Sequence, residues 1–226
     1  MFNGFTDQTF EFFMAIRFNN NRDFFHENHD WYFNHVRTPA LDLAEALMEA
    51  VEKIDPDLER RPNKVVSRIN RDIRFSNDKS PYRDYIWLAF RKPGEERKST
   101  LGVYVDLSDS GLSYGMGFYD ENKPLMNAHR IQLQKDAGEF TQIARETLKN
   151  FSLHPKSFKR MPIPEDLPED IKIWYPLKGF YVEKEITDFG LIKSPVLADE
   201  IIKGYESLIP LYRYFEKLVP VDEMPK

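Results

Sequence analysis

Apolar residues recur every three or four positions near both ends of the chain, which is the spacing of a helix that buries one face. This pattern predicts three N-terminal helices, over residues 6–18, 22–35 and 38–53. Asn21 is a suitable N-cap for the second of them, and Thr38–Pro39 supplies a cap and a first helical residue for the third. A helical region over 123–148 and a final helix that begins at Ser194–Pro195 complete the helical part.

The middle of the chain alternates between apolar and polar residues, which is typical of strands with one buried face. The predicted strands cover residues 85–92, 100–107, 111–119 and 179–186. In the third strand, Ser113, Gly115 and Gly117 share the face opposite the apolar residues, so a packed helix, a neighbouring side chain or a ligand is expected close to that backbone. The proline-dotted residues 152–176 are predicted to be irregular.

The order of these elements indicates the fold class. Helices come first, then neighbouring strands joined by tight turns, and then helices again, which predicts an α+β fold with a mainly antiparallel sheet flanked by N-terminal and C-terminal helices. There is no internal repeat and no Gly- or Ser-rich linker, so the expectation is a single domain over residues 1–226.

Composition excludes several classes of protein. The chain has no cysteine, which excludes disulfides and cysteine-ligated metals. Its formal net charge is −5, so a nucleic-acid partner is disfavoured. It has no signal-peptide pattern and no apolar run of the roughly 20 residues that span a membrane, so the expectation is a cytoplasmic protein with no membrane partner. The sequence indicates no particular cofactor and no oligomeric state.

Charged side chains are most concentrated between residues 68 and 84. This stretch contains five cations and three carboxylates, namely Arg68, Arg71, Arg74, Lys79 and Arg83 with Asp72, Asp78 and Asp84. The local excess of positive charge predicts a pocket for a small phosphate- or carboxylate-bearing ligand, bound or turned over. The alternative is a structural ion-pair network in a non-enzymatic protein-interaction module.

The candidate site residues fall into two groups. The anion-binding candidates are Arg68, Arg71, Arg74, Ser76 and Lys79, and the organising residues are Asp72, Asp78 and Tyr82. Either aspartate is a possible general base, but no spacing in the chain matches a known catalytic template, so no catalytic residue is assigned. His26, His29 and Asp30 lie at helical spacing, yet a solvated polar helix face explains them better than a metal site does.

The run Arg68-Ile-Asn-Arg-Asp-Ile-Arg-Phe-Ser-Asn-Asp-Lys-Ser-Pro-Tyr82 resembles the signature of the DUF2461 family of conserved hypothetical proteins. Asn19-Asn20 followed by Phe24-Phe25, the strands that carry Tyr104 and Gly115, Arg130 and residues 159–162 resemble further family positions. Phe24 stands where the family usually has Trp, and His29 stands where Lys is common. The resemblance implies a single-domain fold and implies no activity, so function has to be argued from the site.

Overall fold

The structure, a computed structural model, describes residues 1–74, 77–94 and 99–222. Its N-terminal helical elements are α1 (Asp7–Phe18), α2 (Arg22–Glu27), α3 (His29–Tyr32), a π-helical segment (Phe33–Arg37) and α4 (Thr38–Ile54). The later ones are α5 (Pro62–Val65), α6 (Lys123–Lys135), α7 (Gly138–Thr147), a 3-10 turn (Lys172–Trp174), α8 (Phe189–Ile192) and α9 (Val196–Glu216). No helix in the described part of the chain has the length and apolar character needed to cross a bilayer.

The predicted first, third and final helices are confirmed, but the second is not one continuous helix. Asn28 separates α2 from α3, and its side-chain amide donates a hydrogen bond to the Phe24 carbonyl at 2.8 Å. An Asn side chain that bonds nearby backbone offers the chain an alternative to the helical ladder, which explains the interruption. The π-helical segment then leads directly into α4, so Thr38 continues a helix rather than starting one.

Five strands form one antiparallel sheet in the order β1-β2-β3-β5-β4. They are β1 (Tyr85–Arg91), β2 (Gly102–Ser108), β3 (Gly111–Gly117), β4 (Ser152–Ser157) and β5 (Leu177–Ile186). The α+β prediction with a mainly antiparallel sheet is therefore confirmed. The expectation of irregular structure over 152–176 is wrong at its start, because β4 pairs with β5 there and Pro155 lies opposite Phe180. Proline is tolerated in β4 because that strand is at the edge of the sheet.

Helices cover one face of the sheet. Val103, Val105 and Tyr114 lie on that face and are essentially inaccessible to solvent. Helix α9 packs against it so closely that Gly204 meets the ring of Tyr114. Most of the alternate residues of β1, β2 and β5 point to the opposite side and remain partly exposed. The sheet therefore has one buried face and one face that its own helices leave open.

Candidate functional site

The charged stretch forms a hairpin on the outer edge of β1. Asn70 pairs with Tyr82 in an antiparallel bridge, and the Arg71 N–H donates to the Pro81 carbonyl at 2.9 Å. Just before the stretch, Val66 bridges to Leu88 of β1. We call residues 68–74 and 77–83 the basic hairpin. Its base, which includes Arg68 and Arg83, is paired backbone, and Arg74, Asp78 and Lys79 lie toward its tip.

Asn20 and Phe25 hold the hairpin against the N-terminal helices. The Asn20 side chain accepts a hydrogen bond from the Tyr82 N–H and donates one to the Tyr82 carbonyl, each at 3.0 Å. The buried Tyr82 ring stacks on Phe25 with the centroids 4.3 Å apart. Two stretches that resemble family positions, one near residue 20 and one near residue 80, therefore meet in space. Tyr82 organises the hairpin through its backbone and its ring.

Two arginines of the hairpin are paired with its own aspartates. Arg74 donates to both carboxylate oxygens of Asp72, at 2.9 and 2.6 Å, and Arg71 forms an ion pair with Asp78. The bond from Arg74 lowers the pKa of Asp72 to about 2. Hydrogen bonds from Ser80, with Arg71 nearby, lower the pKa of Asp78 to about 2. Carboxylates that ionise so readily are weak proton acceptors, so neither aspartate suits the general-base role that its position suggested.

The remaining cations of the hairpin have no carboxylate partner among the residues that the structure describes. Lys79 Nζ donates to the Ile73 carbonyl at 3.0 Å. Arg83 donates to the carbonyls of Arg68 and Asn70. The Arg68 side chain is exposed and makes no hydrogen bond or ion pair with any residue that the structure describes. Positive charge is therefore left over in the hairpin after its aspartates are paired.

The third carboxylate of the stretch, Asp84, is bound by Arg17 of α1 and not by a cation of the hairpin. The sequence did not single out Arg17. Its Nε donates to Asp84 at 2.5 Å, and its two terminal nitrogens donate to Asp109 at 2.6 and 2.7 Å. This guanidinium joins α1 to the start of β1 and to the β2–β3 turn. Arginine suits such a position because its planar fork can bind two carboxylates at once. No sequence pattern indicates this role of Arg17, because Arg17, Asp84 and Asp109 are far apart along the chain.

Charged side chains toward the tip of the hairpin, namely Arg74, Asp78 and Lys79, are exposed to solvent. One cleft of about 670 Å³ runs along α4 beside residues 60–62, and another of about 320 Å³ lies around Lys92 and the end of α9. None of the candidate anion-binding residues lines either cleft. Ser76, the remaining candidate donor, lies outside the described residues.

A family model described as "Conserved hypothetical protein (DUF2461)" matches residues 8–214, which is most of the chain. This chain belongs to the DUF2461 family. The match confirms the resemblance to this family, and the matched range includes the Arg68–Tyr82 stretch. No curated protein matches the sequence. The family description assigns no activity, so the geometry of the DUF2461 chain has to carry the functional argument.

A second group of candidate side chains in this DUF2461 protein lies on the side of the sheet away from the helices. We define the open face by six residues on β1, β2 and β5: Trp87, Tyr104, Asp106, Tyr181, Glu183 and Glu185. Tyr104, Gly115 and Glu183 stand in register on three adjacent strands, and the Tyr104 hydroxyl donates to Glu183 at 2.9 Å across the glycine. The atoms closest to a Cβ at Gly115 would be backbone atoms of β5, which is none of the three alternatives expected for this glycine.

Asp106 is the most perturbed carboxyl group of the open face. Burial, together with the nearby charge of Glu183, raises its pKa to about 6. Its side chain makes no hydrogen bond or ion pair with the residues that the structure describes. A carboxylate that is partly withdrawn from water and has no partner is costly to maintain, and such groups are concentrated at functional sites.

His154 on β4 extends the open face at its edge. Its ring is stacked on Tyr181 with the centroids 4.5 Å apart, and its Nε2 lies 3.6 Å from Glu183. The other histidines considered from the sequence lie elsewhere, with His29 next to Asp30 at 3.5 Å on α3. Within the described ranges, no group of three or more His, Asp or Glu side chains is arranged to hold a metal ion.

Arg130, one of the family-like basic positions, is a structural residue of this DUF2461 fold. It is 1% exposed, and it donates to the carbonyls of Tyr175 and Leu177 at 3.2 and 2.7 Å and to the Asn127 side chain at 2.5 Å. Burial lowers the pKa of its guanidinium. It fixes the chain before β5 to helix α6 and contributes no charge to the surface.

Proposed function

We propose that this protein binds a small anionic ligand, bearing a phosphate or carboxylate group, at the basic hairpin. The observation that carries the proposal is the leftover positive charge. Arg68, Lys79 and Arg83 have no carboxylate partner among the described residues, in a chain whose formal net charge is −5. A local basic site in an acidic protein favours a small anion over a long polyanion, because the rest of the surface repels the latter.

The ion pairs within the hairpin support this proposal, because they restrict the conformations of the hairpin. Arg71 and Arg74 are held by Asp78 and Asp72, which restricts the loop without removing its net positive charge. An ordered loop loses less conformational entropy when a ligand binds. Ser76 remains a proposed hydroxyl donor to the same ligand. The exposed Arg68 guanidinium is free to approach an anion with two parallel N–H groups.

Thermal unfolding in the presence of candidate anions tests this proposal. The panel contains inorganic phosphate, pyrophosphate, nucleotides, sugar phosphates and dicarboxylates. A ligand present at ten times its dissociation constant is expected to stabilise the native protein by about 1.4 kcal/mol. Arg68→Ala is expected to abolish that shift while leaving the melting temperature of the free protein unchanged, because Arg68 makes no bond to lose.

Arg160→Ala is the matched control, since Arg160 is also exposed and has no bonding partner among the described residues. The control variant is expected to keep the ligand-induced shift. The proposal is wrong if no anion of the panel stabilises the protein, or if the two variants reduce the shift equally.

The second candidate is the structural one, in which the charged stretch only orders a protein-interaction module. The ion pairs inside the hairpin and the bonds from Asn20 favour it. Arg71→Ala separates the two candidates. Asp78 is 51% exposed, so we expect only a small fall in the melting temperature, because solvated ion pairs contribute little. A large fall, comparable to the loss of a buried core side chain, would favour the structural candidate instead; differential scanning calorimetry measures it.

A further inference from the structure

The carboxylates of the open face are concentrated at one end of the sheet, whereas the cations on the same side, Arg91 on β1 and Lys156 on β4, stand opposite Gly102 and Gly179 at the other end. Asp106 and Glu185 form no ion pair with any described residue, and the described side-chain partners of Glu183 are Tyr104 and His154. The one lysine in the middle of this part of β5, Lys184, points to the other side of the sheet and binds Glu200 at 2.7 Å. Glu185 is exposed and the Glu183 side chain is 16% exposed, so a positively charged group from outside can reach this end of the open face.

Carboxylates elsewhere on the surface are commonly matched by the chain's own cations. Examples are Asp7 with Lys193 at 2.8 Å, Asp170 with Arg145 at 2.6 Å and Glu121 with Lys178. Other carboxylates, such as Asp23, Glu139 and Asp199, have no ion-pair partner among the described residues either, but they are exposed. Asp106 differs from them because it lacks a partner although its side chain is largely withdrawn from water.

The aromatic rings of the open face suit the same kind of partner. Tyr104 and Tyr181 meet edge to face with the centroids 6.3 Å apart. The guanidinium carbon of Arg83 already lies 4.5 Å from the centre of the Trp87 ring, so this part of the sheet does accommodate a cation over an indole. Arginine and lysine gain from such rings when carboxylates are close by, because the face of the ring is electron-rich.

We infer that the open face docks a lysine- or arginine-rich segment of a protein partner. Charge complementarity selects the occupant, because three carboxylates repel nucleic acids and anionic membranes and attract ammonium and guanidinium groups. The five strands give a surface about 20 Å wide, since neighbouring strands lie about 4.8 Å apart, which is wide enough for several residues of an extended segment. The inference is independent of anion binding at the basic hairpin.

Fluorescence anisotropy with a labelled peptide of five Arg-Gly repeats tests this inference in low salt, at about 50 mM, where charge attraction is weakly screened. The double variant Asp106→Asn/Glu183→Gln is expected to raise the dissociation constant at least about tenfold. Its matched control, Glu45→Gln/Glu49→Gln, removes two exposed carboxylates from α4 and is expected to change the constant less than about twofold. Circular dichroism checks that each variant is folded.

Several results would overturn the inference. The inference is wrong if the native protein does not bind the peptide. It is also wrong if both double variants lose affinity equally, because the peptide is then attracted to the acidic protein in general. Complete displacement of the peptide by equimolar spermine would assign the open face to a small polyamine. Analytical ultracentrifugation would assign the open face to self-association if the native protein is a dimer and the Asp106→Asn/Glu183→Gln variant is a monomer.

Discussion

Gly115→Ala is expected to destabilise the protein by about 3 kcal/mol, the largest effect of a single methyl group in the sheet. A Cβ atom at this position would lie 1.8 Å from the Val182 carbonyl oxygen and 3.1 Å from the Glu183 Cα. Both are backbone atoms of β5, so no change of side-chain rotamer relieves the overlap. Strands β3 and β5 have to separate locally, and the hydrogen bond from Tyr104 to Glu183 is then also strained.

Urea unfolding of Gly115→Ala measures this cost, with Ser113→Ala as the matched control. Ser113 precedes Gly115 by two residues and lies on the same face of β3, opposite Asp106 and Glu185. Its replacement is expected to change the free energy of unfolding by less than about 0.5 kcal/mol, as is usual for side chains on a partly exposed surface. Equal stability of Gly115→Ala and the native protein would contradict the close approach of β3 to β5.

The parts of the fold that repeat a simple period could be predicted from the sequence. Helix α4 and helix α9 follow a 3.6-residue period, and β2 and β3 follow a two-residue period with a turn between them. Strand β4 could not be predicted, because it is a short edge strand with a proline and little apolar alternation. The neighbour of β3 across the sheet could not be predicted either, since it follows about sixty residues later.

The same limit explains what was missed in the candidate sites. The charges of the basic hairpin are contiguous, so their excess can be counted in the sequence. The pairing between the aspartates and arginines of the hairpin depends on the geometry of the loop. Arg17 contacts Asp84 and Asp109 only once the chain has folded. The alternation in β2 did place Tyr104 and Asp106 on one face. Their proximity to Glu183 depends on the register between β3 and β5, and this register cannot be inferred from the periodicity of the sequence.

Trp87 links the two surfaces that we propose as functional. Arg83 of the basic hairpin lies over its ring, and Asp106 of the open face is its partner on the adjacent strand. Surfaces of opposite charge thus meet at one indole on β1. A ligand at the hairpin and a basic segment on the sheet would be close enough to influence each other through Trp87, so each binding experiment is best repeated with the other probe present.

Asp106→Asn is expected to stabilise the protein at pH 7 by about 2 to 3 kcal/mol. Burial and the nearby Glu183 raise the folded-state pKa of Asp106 to about 6, whereas an unfolded Asp has a pKa of about 3.9. The native state therefore holds this proton more tightly than the unfolded state does. Between about pH 4 and pH 6 the native protein loses stability as the pH rises, and above pH 6 the full cost of the charged carboxylate is present.

The asparagine variant lacks this titration, so the difference in stability from the native protein should grow from near zero at pH 4 to its full value at pH 7. Described ionisable groups around position 106 include Arg83 over the ring of the paired Trp87, Tyr104 on the same strand, Glu183 and Glu185 on β5 and His154 on β4, and all are retained in the variant. Urea unfolding across this pH range measures the difference. A variant that is less stable at pH 7, or a difference that does not depend on pH, would show that the Asp106 carboxylate has a favourable partner. If the gain is found, the natural sequence keeps a destabilising charge in the middle of the open face, as expected for a residue retained for binding rather than for folding.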